Sequence, residues 1–390
     1  MIAYVQAWPQ ALSLLGMGSS RSRFRAGQKT GRPAPYVESR RLRASNLMPR
    51  LGLPAPELLV VLGLAFTGAI SVVPLAGWTV QGSLVAAAQL LIEQGRFSDA
   101  RRMLESLLLQ PARPPVDVYY HLAVCHGRLG NPDEALRNLG IVLDEEPSHL
   151  PALHLKAYMR FAEGSYDEAL ELATAYLESR PDGGETRKIS GLARFMLGDK
   201  IGAERDLRQA AHSLPTDFDA HYYLGRVYFE QSKLTLALAA FLRAIALDPS
   251  SVKAHNHRGQ TLEGLTRYDD ALAAYREAIA IERNGSERSE WPYYNLGSLL
   301  LAEGQASQAV ELLETALERN PSSVQTKARL GAALSAASRL EDAEAHLRAA
   351  VEAAPRNADA HYQLGRLLMK LGQSNEGRRH LAQFERLRNP

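Results

Sequence analysis

Between Phe218 and Ser251 apolar residues fall in two stripes, first Tyr222, Leu224, Val227 and Tyr228, then Leu236, Ala237, Ala240, Phe241, Ala244 and Ile245, parted by polar Gln231 to Lys233. Residues three and four apart share one face of a helix, so the pattern predicts two amphipathic helices folded into a hairpin. The pattern returns after 34 residues: Arg258-Gly259 follows Leu224-Gly225 at that interval, and Ala271 follows Ala237. Carried along the chain, the register gives nine units beginning near Gln81, Val116, Leu150, Gly184, Phe218, Val252, Glu290, Val324 and Ala358.

Four columns of the repeat have a physical reason. The first helix holds only Gly or Ala at Ala88, Ala123, Ala157, Gly191, Gly225, Gly259, Gly297, Gly331 and Gly365, and the second holds Ala or Gly at the column running from Ala100 through Ala237 and Ala271 to Gly377. Small residues facing each other let two helix backbones approach, and a larger side chain there overpacks the crossing. Pro147, Pro181, Pro215, Pro249, Pro321 and Pro355 lack an N–H and stop the second helix. Gly95, Gly130, Gly164, Gly198, Gly304 and Gly372 sit where the hairpin turns and a left-handed cap is expected. Between Arg283 and Trp291 the phase slips by four residues and Arg283 replaces the proline, which predicts a longer loop over Asn284 to Ser289 and a bend or hinge in the array. Asn284-Gly285-Ser286 fits a glycosylation acceptor as well as a plain Asn-Gly turn.

A 34-residue helix-turn-helix unit with Leu-Gly, a later Ala, an aromatic or Leu four residues on and a closing Pro resembles the tetratricopeptide repeat. The likeness covers residues 81–390 and is best in the units at Phe218, Glu290 and Ala358; those at Gln81, Leu150 and Gly184 depart from it, with Lys156 and Ser190 where Leu is usual. The resemblance implies an all-α, right-handed superhelical solenoid of antiparallel helix pairs, whose first helices line a concave face that takes up a partner peptide or helix.

Ahead of the repeats, residues 1–56 carry nine Lys/Arg against the single acid Glu38 and read as a disordered basic arm of charge +8, leaving the remainder at −6. An acidic body argues against nucleic acid as a partner. Residues 57–80 read as a transmembrane anchor or signal segment: Leu58 to Trp78 is 21 residues without a charge, long enough to span a bilayer core of about 30 Å as a helix. Arg50, the apolar stretch to Phe66 and Thr67-Gly68-Ala69 fit a cleaved signal equally well. Either way the basic flank stays cytoplasmic, so a membrane-anchored or exported chain is expected, its repeats on the non-cytoplasmic side.

No phosphate-binding Gly-rich loop with Lys-Ser/Thr, no His-Glu-x-x-His, no Gly-x-Ser-x-Gly and no paired-Cys spacing occurs, so no enzyme, metal or cofactor is expected. The lone Cys125 has no disulfide partner. His221, His255 and His361 fall in one column and read as architecture, and His255 and His257, two apart on a helix, do not converge on a metal.

Function then rests on surface. The groove columns implied by the resemblance hold Tyr158, Phe161, Lys188, Leu192, Phe195, Tyr222, Arg226, Phe229, Asn256 and Gln260, flanked by Lys253, and suit a peptide with apolar anchors and an acidic group. The carboxylate clamp of some relatives is not reproduced: its columns hold Lys188, Leu192, Tyr223, Lys253 and His257 in one register, and Asn256, Gln260, Asn295, Gln325 and Arg329 in another that the phase slip interrupts. The sequence thus predicts a non-enzymatic, monomeric protein-binding scaffold. The alternative is a structural component of an envelope or membrane complex that assembles through its solenoid ends, against which the charged last helix (Arg378, Arg379, Glu385, Arg386, Arg388) counts as a solvated cap.

Overall fold

The computed structural model describes residues 80–286 and 288–388, and every regular element among them is helical. The arm 1–56 and the apolar run 58–78 lie outside the described residues; among those described, no helix is long and apolar enough to cross a membrane.

The helices follow one another as α1 (Val80–Glu93), α2 (Phe97–Leu108), α3 (Val116–Arg128), α4 (Pro132–Glu145), α5 (Leu150–Glu163), α6 (Tyr166–Ser179), α7 (Gly184–Met196), α8 (Lys200–Ser213) and α9 (Phe218–Glu230). They continue as α10 (Leu234–Leu247), α11 (Val252–Gly264), α12 (Tyr268–Asn284), α13 (Trp291–Ala302), α14 (Ala306–Arg319), α15 (Val324–Ala336), α16 (Leu340–Ala353), α17 (Ala358–Lys370) and α18 (Ser374–Arg388). The described residues divide into two compact units that part between Ile189 and Ser190, within α7. In each, consecutive helices pair as hairpins and each hairpin packs on the next.

The small columns are the crossing points. Ala88, Ala123, Ala157, Ala100, Ala135, Ala169, Ala237, Ala271, Ala309 and Ala343 are all fully buried. Around them Leu104, Leu122 and Leu139 fill the core of the first unit, and Tyr275, Tyr293, Leu313, Leu330 and Leu347 that of the second.

The helix boundaries have local causes. α4, α6, α8, α10, α14 and α16 each end two residues before a proline of the recurring column. Two residues after it, Asp217, Ser251, Ser323 and Asn357 cap the next first helix, accepting a hydrogen bond from the backbone N–H three residues on. Pro-x-Asp/Ser/Asn is therefore a combined stop and start. The histidine column completes the junction: Nε2 of His221, His255 and His361 lies 3.3, 3.1 and 2.9 Å from the carbonyl oxygen of Pro215, Pro249 and Pro355. A carbonyl only accepts, so Nε2 carries the proton, and these imidazoles tie the end of one hairpin to the start of the next.

The hairpin turns share one geometry. The six glycines take φ between +75° and +86°, and the units without glycine there place Ser232, Thr266 and Ser338 at +59°, +59° and +62°. A β-branched residue is strained in that region. Thr266→Gly is expected to stabilise the second unit by about 0.5–1 kcal/mol, the relief exceeding glycine's extra unfolded-state entropy; thermal unfolding checks this, and an unchanged or lowered midpoint refutes it.

Candidate functional site

The first helices of successive hairpins in the second unit bring an aromatic and cationic cluster together. On α9, Phe218 and Tyr222 are four residues apart and stack with ring centroids at 5.6 Å and planes 12° apart. Tyr222 also meets Tyr223 edge-on at 5.1 Å and Phe241 of α10 at 5.9 Å, and Tyr223 meets Phe195 at 6.2 Å. Phe195 and Tyr222 are buried, so they form a floor; Tyr223, Arg226 and Phe229 are half-buried above it, and Lys253 is exposed.

Two cations lie on this floor. The Arg226 guanidinium sits 4.7 Å from the Phe195 centroid and 5.6 Å from that of Tyr223. Lys253 Nζ is 4.7 Å from the Tyr222 centroid and 5.0 Å from that of Phe218, with the Asp219 carboxylate at 3.7 Å. A ring face attracts a cation without neutralising it, so Arg226 keeps its N–H edge for an acceptor from outside. Asp219 screens Lys253 in part.

His257 of α11 fixes the charge of the cluster. Its Nδ1 donates to the Lys253 carbonyl at 2.8 Å and lies 3.3 Å from the Tyr222 hydroxyl. Burial pushes the imidazole down to about 4, the bond to the Lys253 carbonyl opposes this, and the positive charges of Arg226 and Lys253 add to the burial effect. His257 is thus a neutral spacer near pH 7, and the charge of the cluster is set by Arg226, Lys253 and Asp219.

The remaining predicted site residues are distributed as follows. Asn256 is buried and its Oδ1 accepts from Asn295 Nδ2 at 2.9 Å, linking α11 to α13. Phe229 and Gln260 stand one turn further along α9 and α11, both half-buried. In the first unit, Tyr158 and Phe161 of α5 are half-buried, Phe161 with its ring 5.4 Å from that of Tyr166, and Lys188 is only 5% exposed with its Nζ 2.9 Å from Glu185. The accessible face of the second-unit cluster is therefore Tyr223, Arg226, Phe229, Lys253 and Gln260. Phe218 and Tyr223 belong to the cluster although the groove columns omit them; the signal for Phe218 is its i,i+4 spacing from Tyr222.

Among the described residues no group of three His, Cys, Asp or Glu side chains is placed to hold a metal ion. Cys125 is fully buried, and burial raises its thiol to about 12, so it is a packing residue.

Family profiles described as tetratricopeptide repeat match residues 85–126, 126–184 and 294–358, others so described match 250–322 and 334–384, and one described as TPR repeat matches 225–265. Among curated proteins, human Superkiller complex protein 3 is 25% identical over 240 residues, 52% of this chain and 15% of that protein. Human Tetratricopeptide repeat protein 7A is 33% identical over 120 residues, 30% of this chain and 14% of that protein. The chain thus covers only 14% to 17% of the length of the curated relatives it matches. Of solved structures, the APC/C hetero-tetramer Cut9-Hcn1 contains a chain matched at a TM-score of 0.53 and 16% identity, over 74% of this chain and 56% of that one. The C-terminal part of a TPR repeat-containing protein from Cytophaga hutchinsonii is matched at 0.50 and 14% identity, over 63% and 99%. At such identities the likeness is one of fold.

Proposed function

The chain belongs to the tetratricopeptide repeat family, and on that premise we propose that it is a non-enzymatic scaffold whose second unit holds a partner protein or peptide on the first-helix face around Arg226. The observation that carries this reading is the Arg226 guanidinium laid over Phe195 and Tyr223, with no carboxylate partner among the described residues. A rigid ring pair holds the guanidinium in place, so little rotamer entropy is lost when a partner's carboxylate docks on it. Phe229 supplies an adjacent apolar contact. The partner expected is an extended or helical segment with an apolar anchor beside an acid.

The finer expectations rest on the sequence and on family resemblance: a right-handed superhelical course, a tether or export signal over 58–78, and repeats on the non-cytoplasmic side. The exposed Arg378, Arg379, Glu385, Arg386 and Arg388 of α18 give that helix a charged face, which disfavours assembly through it. Tyr222 and Phe195 are left intact in the test because they are core residues. Arg226→Ala combined with Phe229→Ala in the full chain is expected to weaken capture of the wild-type partner by about tenfold or more. Undiminished capture by a variant with native circular dichroism removes this site.

A further inference from the structure

Asn284-Gly285-Ser286 ends α12 where the regular phase of the repeat breaks. All three residues are exposed, and they line a cleft of about 600 Å³ together with Val252, Ala280 and Ile281. Ala280 and Ile281 stand four and three residues before Asn284, on the same face of the helix. We propose that Asn284 is a site of spontaneous covalent modification, where the side chain deamidates through a cyclic imide formed with the Gly285 backbone nitrogen and so alters the junction after α12.

The chemistry needs only water. The Gly285 nitrogen attacks Cγ of Asn284, a C–N bond forms, and the Gly285 N–H proton passes through water to the side-chain nitrogen, which leaves as ammonia. A five-membered succinimide remains. Water then adds to one of the two ring carbonyls: breaking the Cγ–N bond gives aspartate, and breaking the bond from the main-chain carbonyl carbon to nitrogen gives isoaspartate. Nothing is oxidised or reduced, and a neutral amide becomes a carboxylate.

The surroundings select this asparagine. It alone in the chain is followed by glycine, which has no Cβ to hinder closure of the ring. Asn131, Asn320 and Asn389 precede proline, whose nitrogen has no proton to release. Asn138, Asn256, Asn295, Asn357 and Asn375 are each held by a side-chain hydrogen bond, to Glu134, to one another for Asn256 and Asn295, to Ala360 and to Arg378. The attacking nitrogen is loosely held: the Gly285 N–H donates to the Glu282 carbonyl at 3.3 Å, longer than an ordinary N–H···O bond.

The product changes the junction because Asn284 lies between its partners in sequence. Glu282, on one side, accepts from Tyr293 Oη at 2.8 Å, and its carbonyl accepts from Arg288 Nη1 at 3.2 Å, both from beyond the modified residue. Isoaspartate carries the main chain through Cβ and Cγ and lengthens it by a methylene between them. The imide also lacks the Gly285 N–H, so the bond to the Glu282 carbonyl is lost while it persists. Either acid places negative charge at the C-terminus of α12, where the helix dipole disfavours it.

The test incubates the full chain in buffer and follows each asparagine by peptide mapping, with assay of released ammonia. Asn284 is expected to convert at least about tenfold faster than Asn357 or Asn375, giving isoaspartate and aspartate together. Gly285→Val is expected to slow conversion about tenfold or more, since its Cβ branch crowds the ring; Gly285 has φ −101° and ψ −176°, extended backbone that valine adopts without strain. Ser286→Ala, which removes the glycosylation acceptor and keeps Asn-Gly, should leave the rate unchanged. Aged wild type should unfold at a lower temperature than fresh protein, and aged Gly285→Val should not. Conversion no faster at Asn284 than at Asn375, a rate indifferent to Gly285→Val, or aspartate without isoaspartate would overturn the proposal, and an unshifted unfolding temperature after conversion would overturn its effect on the junction.

Discussion

Gly259→Val is expected to destabilise the second unit by about 3 kcal/mol and to open the α11–α12 hairpin first. A Cβ at Gly259 would stand 2.4 Å from Tyr275 Cε1 and 2.6 Å from Cδ1. The ring cannot step aside: Tyr275 is fully buried and its hydroxyl donates to Glu263 at 2.9 Å. Relief therefore requires the helices to separate, which withdraws the neighbouring core as well. Valine's better helix propensity, a few tenths of a kcal/mol over glycine, offsets little of this. Gly140→Ala in α4 is the contrasting case, because nothing lies within 4 Å of a Cβ there; it should stabilise the first unit by about 0.5–1 kcal/mol. Hydrogen exchange resolved by helix measures both. Native-like protection of α11 and α12 in Gly259→Val would show that the backbones are not in enforced contact.

The second large effect is expected at Glu282, the residue that makes the irregular junction work. α12 runs on to Asn284 because Arg283 stands where other units have proline, and α13 starts only at Trp291. Glu282 is fully buried in this junction and accepts from Tyr293 Oη at 2.8 Å and Arg319 Nε at 2.9 Å, with Arg288 Nη1 at 3.5 Å. Burial alone would raise its carboxyl, but the Tyr293 and Arg319 hydrogen bonds and the charges of Arg319 and Arg288 outweigh that and hold it below the usual 4.5. Glu282→Ala leaves Arg319 and the Tyr293 hydroxyl without their acceptor and should cost about 3 kcal/mol. A carboxyl whose folded value is depressed contributes in full above its unfolded value, and the contribution vanishes as pH falls through the folded one. Wild type and Glu282→Gln should therefore differ at neutral pH and converge in acid. A gap that stays constant down the acid range means that the charge is not what stabilises the junction.

The junction also shows how far the sequence could be read. The missing proline and the four-residue slip mark a longer connection, and the chain does leave helix between Asn284 and Trp291. The slip suggests a bend or hinge, but it carries no sign that Glu282, Tyr293 and Arg319, spread over 38 residues, meet in one buried network. The turn column behaves likewise. Six glycines announce a left-handed turn, and the structure finds the same turn at Ser232, Thr266 and Ser338, where the tertiary packing of the hairpin overrides an unfavourable local preference. At the proposed Arg226 site, aromatic and basic positions were visible from the repeat register, but the division of labour among them was not: Tyr222 and Phe195 went to the floor and Arg226, Phe229 and Lys253 remained accessible.

The sequence by itself determined the 34-residue period, the helix pairs and the small residues at their crossings. Each is a local or strictly periodic demand, since helical spacing, a proline stop and a Gly/Ala contact column impose themselves in every unit. Tertiary structure decided the charges. Lys188 meets Glu185 within its own helix, but Arg226 ends over Phe195, 31 residues away, and Arg319 on Glu282, 37 residues away, so the fate of these two cations is set by packing between hairpins. Repeat sequence defines the scaffold, and long-range packing selects which of its charges are left for a partner.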